Sequence, residues 1–587
     1  MKKSKLRSLL ASMLTAGIVV SSFAGISLNK VEAALPNPAT PNKTVMLIPL
    51  DDRPVNTDMI VKAGASSNIK IIMPPKEIIS TSLQSDSYGT GSKGGNANAI
   101  AQWVRDNKYN ADGFIIAADM LHSGGLVESR SLSPVYSVSQ GTSNLGVIDE
   151  IKSANPTKPV YVFDTVMRLA STSEYEGLNS AKYQAFRNFA DQERKVDSSS
   201  HSNVKNTYRY NGTGGTYFNT SGLTTKETED YYSARARKFN LNKVVVDKAV
   251  TGKIDFTVFG VDDSSPNKNI QYSERKWLEY QNLNTIGTAK SAVVADADTV
   301  GLTLLSRMAK QLYNQPSIKY HVDYFGDDWK SKPNVTDPYG YEHPHNTLKK
   351  QIEISGGTYE STKGNADVSI LALTPDSNYR GSLVSMFNDN AVNSIPTVVL
   401  DMYKSNGGAP DTYIIENILN GTNGSRMLAY SGWNTLGNRM GLALGMAGSR
   451  MNFMKYDETN TSKLRDASTA FASFLIDRIA EDYGYKNKVQ ANISSTYSSY
   501  NTANFKNSET VAPISTINSS VLSQMQTEQN YIKNAFSGRR VLEKVYGSRS
   551  LGFAFFNSAP VFTSGDANLP WNRTFEVKVN TSPSSLY

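Results

Sequence analysis

The sequence contains no cysteine. This absence excludes disulfide bonds, thiol nucleophiles and thiolate metal sites. Histidine is also scarce, with 5 residues in a chain of 587, and the one cluster, at 342–345, lacks the helical HExxH spacing of zinc proteases. A chain without covalent cross-links relies on its buried core, and this one is long enough to bury a large one in two or three domains.

Long apolar runs are missing beyond residue 33, so we expect no membrane partner in the mature protein. Residues 1–33 differ: basic residues crowd positions 2–7, an apolar and small-residue stretch spans 9–26, and Val31-Glu32-Ala33 offers small residues for cleavage. These features predict a cleaved signal peptide over 1–33 and a secreted protein, extracellular or associated with the cell wall. The alternative is an uncleaved membrane anchor.

The excess of positive charge is small. Removing residues 1–33 takes away five basic residues and one acidic residue, which lowers the formal net charge from +8 to about +4. Such a low charge on a long chain argues against nucleic acid as a partner. The abundance of Tyr, Asn, Ser and Gly suits wet, aromatic-lined surfaces, and we predict a polysaccharide or glycan substrate as the partner.

Short β-rich runs alternate with helical stretches along most of the chain, which is typical of βαβ units and parallel sheets. We predict an α/β fold with Rossmann-like layers and a C-terminal α+β addition. A TIM-like barrel is the alternative, although about ten predicted strands exceed its eight. The expected segments are a leader at 34–43, α/β domains at 44–290 and 291–480, a surface insertion at 197–225, and a C-terminal region at 481–587.

Aspartates follow five predicted strands directly, and two of these strand ends carry adjacent pairs. Ligands of parallel α/β folds bind at the carboxyl ends of strands, which predicts an acidic cleft. Aspartate is also a favoured helix N-cap, and we assign Asp298 and Asp401 to such turn or cap roles. The catalytic candidates are Asp51, Asp52, Asp119, Asp262 and Asp263, with Asp52 and either Asp263 or Asp119 as the leading pair.

The segment Asp51-Asp52-Arg53-Pro54-Val55-Asn56 combines two acids with an arginine. Pro54 stiffens the backbone, so the preceding side chains are presented rigidly. The arginine can hold one carboxylate ionised while the like-charged pair raises the pKa of the other. Arg53 and Asn56 are therefore candidate substrate-binding residues. The alternative is an ion pair that only anchors the turn.

Further polar groups follow the next strands. His122 and Arg130 flank a double glycine that permits a sharp bend, although a lone loop histidine is often only hydrogen-bonded. Asp164 and Arg168 are four residues apart and would share one side of a helical turn, or form a surface ion pair. With Glu274, on a predicted helix after Asp262-Asp263, these five are further substrate-binding candidates.

The segment 430–438 places Trp433 close to Asn434 and Asn438. A tryptophan face can stack on a sugar ring while the amides bond its hydroxyls, so these three residues are predicted to bind substrate. The alternative is a core tryptophan with Asn434 or Thr435 as a helix N-cap.

Several motifs occur together in a familiar order: PLDDRPVN at 49–56, GGLVESR at 124–130, GWNTLGN at 432–438 and LPWNRTFE at 569–576. On these segments the chain resembles the bacterial family catalogued as domain of unknown function 4127. The resemblance spans about residues 44–580, with the insertion at 197–225 as the main departure. The resemblance implies kinship but no activity, so the chemistry is inferred from the residues themselves.

The leading functional hypothesis is a secreted glycoside hydrolase that acts on a cell-wall or extracellular polysaccharide through two carboxylates. One alternative is a divalent-metal-dependent hydrolase that uses the same aspartates as ligands. Another is a non-catalytic carbohydrate-binding envelope protein. No spacing indicates a metal site, so no cofactor is predicted, although an Asp-rich site without cysteine would suit Mg²⁺, Ca²⁺ or Mn²⁺.

Overall fold

Two parallel β-sheets form the framework of the computed structural model, which confirms the predicted α/β class. The first sheet contains β1 (Lys43–Ile48), β2 (Ile69–Ile72), β3 (Gly113–Ala117), β4 (Val160–Val166), β5 (Phe256–Val261) and β6 (Ser291–Val294). Its strand order is β2-β1-β3-β4-β5-β6, and every neighbouring pair is parallel. The order reverses between β1 and β3, as in doubly wound folds.

The second sheet repeats this winding with β7 (Lys319–Phe325), β8 (Thr358–Tyr359), β9 (Val368–Leu373), β10 (Thr397–Asp401) and β11 (Ala429–Ser431). Its order is β8-β7-β9-β10-β11, again all parallel. The described strands thus form two open sheets instead of the closed barrel that was the alternative prediction. Strands β3 and β9 are buried along their whole length, as expected for parallel sheets with both faces covered.

The structure describes residues 37–81, 94–172, 178–404, 408–432, 434–497, 514–542, 553–554, 567–581 and 584–585. The predicted signal peptide at 1–33 and Trp433 lie outside these residues. From residue 37 onward the described chain belongs to one compact unit, and the predicted domain boundaries stay predictions. No helix among the described residues has the length and apolar character needed to cross a bilayer.

The helices between β1 and β6 are α1 (Asp58–Ala65), α2 (Lys76–Ile79), α3 (Ala97–Asn107), α4 (Ala118–Ser123), α5 (Leu126–Ser129), α6 (Val138–Leu145), α7 (Val147–Ala154), α8 (Ser180–Asp191), α9 (His201–Thr207), α10 (Thr225–Val250) and α11 (Tyr272–Gln281). A π-helical turn at Asn282–Ile286 extends α11. The long helix α10 begins with a capping box, in which Thr224 and Glu227 satisfy each other's backbone N–H groups.

The later helices are α12 (Val300–Leu312), α13 (Pro344–Ile354), α14 (Arg380–Val392), α15 (Thr412–Asn420), α16 (Leu436–Lys455), α17 (Thr461–Ile479), α18 (Gln490–Thr496), α19 (Ile514–Thr527) and α20 (Asn530–Phe536). A π-helical segment, Ala480–Val489, follows α17, and short 3-10 turns lie at Lys363–Asn365, Ser377–Tyr379, Gly424–Arg426 and Pro570–Asn572.

Helices α12 and α16 join the two sheets. Helix α12 packs on β3 and β4 of the first sheet, and α16 packs on β10 and β11 of the second. The two helices approach closely because Gly441, Gly445 and Gly448 of α16 face α12, where a Cβ atom would overlap Thr299, Leu302 or Ser306. This contact fixes the carboxyl ends of both sheets relative to each other.

The C-terminal part is a small α+β addition, as predicted. Strand β12 (Phe553–Ala554) pairs with β15 (Ser584–Ser585), and β13 (Ala567–Asn568) pairs with β14 (Lys578–Val579), both antiparallel. Helix α19 packs against β13. The turn between β13 and β14 carries residues 570–576 to the carboxyl ends of the first sheet.

Candidate active site

A pocket of about 330 Å³ lies at the carboxyl ends of the first sheet. Its walls come from the loops after β1, β3, β4, β5 and β6, from the loops after β7 and β11 of the second sheet, and from the C-terminal addition. The charged and amide residues that line it are Arg53, Arg130, Arg168, Arg573, Asp262, Asp263, Asp296, Asp298, Asp337, Asn434 and Asn438. Tyr183, Tyr339, Trp571 and Phe575 contribute aromatic rings.

Arg53 is held in the pocket wall by a buried carboxylate. Its Nε lies 3.1 and 3.0 Å from the two oxygens of Asp51, and its Nη2 donates to Asp51 Oδ2 and Asp298 Oδ1, each at 2.6 Å. Asn56 Nδ2 donates to the same Asp51 at 2.9 Å. Asp51 and Asn56 are fully buried and are not among the pocket-lining residues, so they position Arg53 from behind.

Asp52 holds the indole of Trp571. Trp571 Nε1 donates to Asp52 Oδ1 at 2.8 Å, and the ring centre lies 4.7 Å from Cζ of Arg53 and 4.8 Å from Cζ of Arg573, within the range of cation–π attraction. Burial raises the pKa of Asp52, against the opposing effect of the Trp571 hydrogen bond. Asp52 itself does not line the pocket.

The backbone that presents Trp571 is strained. Trp571 and Asn572 have φ angles of +52° and +55°, in the left-handed region that favours glycine. Each such residue costs on the order of 1–3 kcal/mol, and such strain clusters at functional sites. The surrounding contacts therefore keep this turn in place.

Two more ion pairs in the pocket wall join loops that follow different strands of the first sheet. Arg130 pairs with Asp262, and Arg168 pairs with Asp263. Arg168 Nη2 also donates to Tyr183 Oη at 3.0 Å, and this guanidinium lowers the pKa of Tyr183 despite the burial of the phenol. Burial, opposed by Asp262, lowers the pKa of Arg130 to about 10.

Asp296 and Asp298 extend from the loop after β6. Asp296 accepts hydrogen bonds from Gln351 Nε2 at 2.8 Å and Asn438 Nδ2 at 2.9 Å, and burial raises its pKa to about 6. Asp298 was expected to cap α12, but Thr299 occupies the N-cap position. Burial would raise the pKa of Asp298, yet Arg53 outweighs that effect and holds it below the usual value.

The second sheet contributes Asp337, Tyr339, Asn434 and Asn438. Asp337 Oδ1 accepts from the backbone N–H of Tyr339 at 2.9 Å, and burial raises the pKa of Asp337 to about 6. Thr435 is the N-cap of α16, as one reading of the sequence proposed. Asn434, with a φ of +76°, is left facing the pocket, while the neighbouring Trp433 lies outside the described residues.

A second group of polar residues is sealed in the interior. Lys238 Nζ of α10 lies 2.7 Å from Asp119 Oδ1 and 3.1 Å from His122 Nε2, and it also pairs with Asp164. No more than 1% of any of these four side chains is exposed. We call Asp119, His122, Asp164 and Lys238 the sealed cluster. None of its members lines the pocket, although three were candidate site residues.

Burial and Lys238 both lower the pKa of His122 and outweigh Asp164, which would raise it. His122 is therefore neutral. For Asp164, burial is outweighed by Lys238 and His122, which lower its pKa. Asn242 Nδ2 adds a hydrogen bond to Asp164 Oδ2 at 2.7 Å. The cluster is thus a satisfied network of one ammonium and two carboxylates.

Asp119, His122 and Asp164 could together hold a metal ion, because one ligand atom from each lies within 4.8 Å of the others. Lys238 weakens this fit, since its ammonium already bonds all three residues. A divalent cation would have to displace that ammonium or share a small volume with it. The residue set therefore suits a metal in composition but less well in its present arrangement.

Glu274 also lies away from the pocket. It pairs with Arg235 Nη1 at 2.8 Å and accepts a hydrogen bond from Tyr208. Tyr208 belongs to the segment 197–225, which was predicted to be a surface insertion, but its side chain is buried. Glu274 therefore anchors this segment and α10 to α11.

The pocket joins seven of the predicted site residues: Arg53, Arg130, Arg168, Asp262, Asp263, Asn434 and Asn438. Sequence reasoning did not select Asp296, Asp298, Asp337, Tyr183, Tyr339, Trp571 or Arg573. Two sequence signals could have found most of them. Asp296 and Asp298 follow a strand as the selected aspartates do, and Trp571 and Arg573 belong to the PWNR motif. Nothing local marked Asp337 or Tyr183.

The fold and this pocket define a two-sheet α/β protein whose site is assembled from arginine–carboxylate pairs. Residues 45–580 match the model of the family described as "Protein of unknown function (DUF4127)". The chain belongs to this family, which confirms the resemblance drawn from its motifs. Neither a curated protein nor a solved structure matches the chain.

Proposed function

We propose that the protein is a secreted glycoside hydrolase that acts on a cell-wall or extracellular polysaccharide, with Asp298 and Asp337 as its two carboxylates. The observation that carries this proposal is the opposite displacement of their pKa values within one pocket. Arg53 holds Asp298 ionised against the effect of burial, and burial raises the pKa of Asp337 to about 6. Such divergence is how carboxylate pairs divide acid and base roles.

In the proposed mechanism, protonated Asp337 gives its proton to the glycosidic oxygen as the bond to the leaving sugar breaks. Ionised Asp298 either attacks the anomeric carbon or removes a proton from the attacking water. Arg53, bonded to Asp298 at 2.6 Å, keeps that carboxylate oriented and charged. Asp52 and Asp119 do not line the pocket, so the proposed pair is drawn from the residues that do.

The remaining lining suits a sugar. Asn434 and Asn438 offer amide donors and acceptors, and Arg130 and Arg168 offer guanidinium donors beside carboxylate acceptors. Tyr339 and Phe575 add aromatic surface, which favours the apolar face of a pyranose.

The test is the release of reducing ends from a panel of cell-wall and extracellular polysaccharides by the purified protein. We expect Asp298→Asn and Asp337→Asn each to lower turnover by about 10²–10⁴-fold, while circular dichroism shows that both variants remain folded. The matched control is Asp376→Asn, a strand-end aspartate of the second sheet that does not line the pocket and whose side chain accepts a hydrogen bond from the N–H of Asn378. It should retain full turnover.

Full turnover in both Asp298→Asn and Asp337→Asn would contradict the assignment of the pair. Binding of a glycan without any product over long incubation would instead identify a non-catalytic carbohydrate-binding envelope protein. Both outcomes can be read from the same samples.

A second candidate is a divalent-metal-dependent hydrolase, favoured by the spacing of Asp119, His122 and Asp164. Because the ammonium of Lys238 already bonds all three residues, we expect treatment with a chelator to leave turnover unchanged. Loss of turnover on chelation, with recovery on adding one divalent ion, would select this candidate over the first.

A further inference from the structure

The pocket is small and is walled by distant parts of the chain. Its volume of about 330 Å³ lies near the lower end of the roughly 300–1,000 Å³ typical of small-molecule sites. This volume accommodates one or two sugar rings. Loops of the first sheet, residues 337–339 and 434–438 of the second sheet region, and residues 571–575 all contribute to its lining, so it is a pocket and not a groove along one sheet edge.

The charges that line the pocket do not favour an anion. Five aspartates and four arginines line it, so the lining carries no excess of positive charge. Each arginine already has an acidic partner: Arg53 has Asp51 and Asp298, Arg130 has Asp262, Arg168 has Asp263, and Arg573 has Glu576. A uronate or phosphate placed here would face the carboxylates that these arginines already bind.

The same pairs are well suited to hydroxyl groups. A sugar hydroxyl is both donor and acceptor, so it can donate to a carboxylate while it accepts from the neighbouring guanidinium. Arg130–Asp262 and Arg168–Asp263 present two such combinations side by side, because Asp262 and Asp263 are consecutive. Vicinal hydroxyls of a neutral pyranose match this arrangement without leaving a buried charge unpaired.

We propose that this pocket binds the terminal sugar of an uncharged glycan, so that the enzyme removes one or two sugars at a time from chain ends. This inference rests on the proposed glycosidase function. It specifies the substrate class, a neutral polysaccharide, and the position of cleavage, the chain end. Asp262 and Asp263 are then specificity-determining residues, because they keep Arg130 and Arg168 from binding an acidic sugar.

The experiment uses end-labelled hexasaccharides of glucose, mannose and N-acetylglucosamine, with hexagalacturonate as the acidic counterpart. Product lengths are followed over time. We expect at least one neutral hexasaccharide to shorten stepwise, and hexagalacturonate to stay intact. Cuts in the middle of the chain, or cleavage of hexagalacturonate alone, would overturn this inference and leave the glycosidase function standing.

Asp262→Asn tests the charge argument directly, with Asp263→Asn as the second variant in case the first does not fold. Freeing Arg130 or Arg168 should shift the ratio of affinities by about tenfold or more toward digalacturonate over the matching neutral disaccharide. The shift is measured by calorimetry in the Asp337→Asn background, so it does not depend on turnover and leaves the four arginines with their acidic partners. An unchanged ratio in both variants contradicts the proposal.

If no hexasaccharide is cleaved, the glycosidase function fails for this panel, and the calorimetry still decides the substrate class. Binding of neutral disaccharides alone then supports the neutral pocket. Binding of digalacturonate alone, or of neither sugar, overturns it.

Discussion

The open pocket and the sealed cluster contain the same types of residue and lie at the same end of the first sheet. Both place aspartates at the carboxyl ends of strands and pair them with cations. In the pocket, Asp262, Asp263 and Asp298 keep 13 to 20% of their side chains exposed. In the sealed cluster, Asp119 and Asp164 have none exposed. A strand-end aspartate therefore does not by itself mark a site.

The cation beside the aspartate distinguishes the two regions. The sealed cluster uses Lys238, a compact point charge whose three donors are all used by Asp119, Asp164 and His122. The pocket uses arginines, whose planar forks carry five donors and can bind a carboxylate and a ligand together. The partly exposed arginine pairs can therefore contact a ligand, whereas the donors of Lys238 are all used within the protein.

The largest expected effect is on stability, in the sealed cluster. Replacing Lys238 by Met leaves two carboxylates buried without their cation, which should lower the free energy of unfolding by about 3–5 kcal/mol. Denaturant unfolding of the purified variant measures this loss. The matched control is Lys243→Met on the same helix, where an exposed pair with Asp247 should contribute less than about 0.5 kcal/mol.

A Lys238→Met variant as stable as the wild type would remove the distinction between the two regions. A variant that gains stability when Zn²⁺ or Mn²⁺ is added would instead show that the cluster becomes a metal site once the ammonium is gone.

The second prediction concerns the pocket, where a substitution should raise the free energy of unfolding instead of lowering it. The pKa of Asp337 is raised from 3.8 to about 6, so the folded state holds this proton more tightly than the unfolded state does. Its contribution to stability is present below pH 3.8 and is lost as the pH rises toward 6. Asp337→Asn should therefore raise the free energy of unfolding at pH 7 by on the order of 1–3 kcal/mol, while turnover falls.

Unfolding curves at pH 3.5 and pH 7 check this prediction. The difference between wild type and Asp337→Asn should appear at pH 7 and nearly vanish at pH 3.5. An equal difference at both values would mean that the carboxyl group of Asp337 is not responsible.

The third prediction returns to the sealed cluster, where the pKa of His122 is lowered from 6.5. Below pH 6.5 the histidine of the unfolded chain binds a proton, whereas His122 in the folded chain does so only at lower pH. The free energy of unfolding therefore falls as the pH falls. His122→Leu should remove this slope, by up to about 1.4 kcal/mol per pH unit. Unfolding of both proteins between pH 7 and pH 5 measures it, and parallel curves would contradict it.

The smallest expected effect is at Trp571. Replacing it by Phe keeps an aromatic ring beside Arg53 and Arg573 but removes the hydrogen bond to Asp52, which is 2.8 Å long. We expect kcat/KM to fall by about 2–10-fold, equivalent to a hydrogen bond of about 0.5–1.5 kcal/mol. A full loss of turnover would give Asp52 a larger role than that of holding an aromatic ring.

The α/β class and the C-terminal addition could be predicted because alternating strand and helix patterns are local. The relation between the two sheets was not predictable in the same way. It depends on glycines of α16 that let α12 approach, and close approach is a property of two helices together. The same applies to the tyrosine of segment 197–225: Tyr208 looks like a loop residue in sequence but bonds the buried Glu274.

For the site, the sequence indicated which loops meet but not which side chains reach the pocket. Asp51 and Asp52 are adjacent, yet one lies behind Arg53 and the other under Trp571. Asp298 looked like a cap because a helix follows it, and its role became visible only through Arg53, 245 positions away. Side-chain direction and distant partners, which set these roles, are not encoded by spacing alone.

The strained turn at Trp571 and Asn572 has a consequence for when the pocket becomes complete. The hydrogen bond from Trp571 to Asp52 spans 519 positions, so the wall of the pocket closes only after nearly the whole chain has been synthesised. A newly made chain that lacks residues 571–575 has both sheets but an incomplete pocket. Cleavage within that segment by a protease should therefore abolish ligand binding in the pocket while the two sheets stay folded.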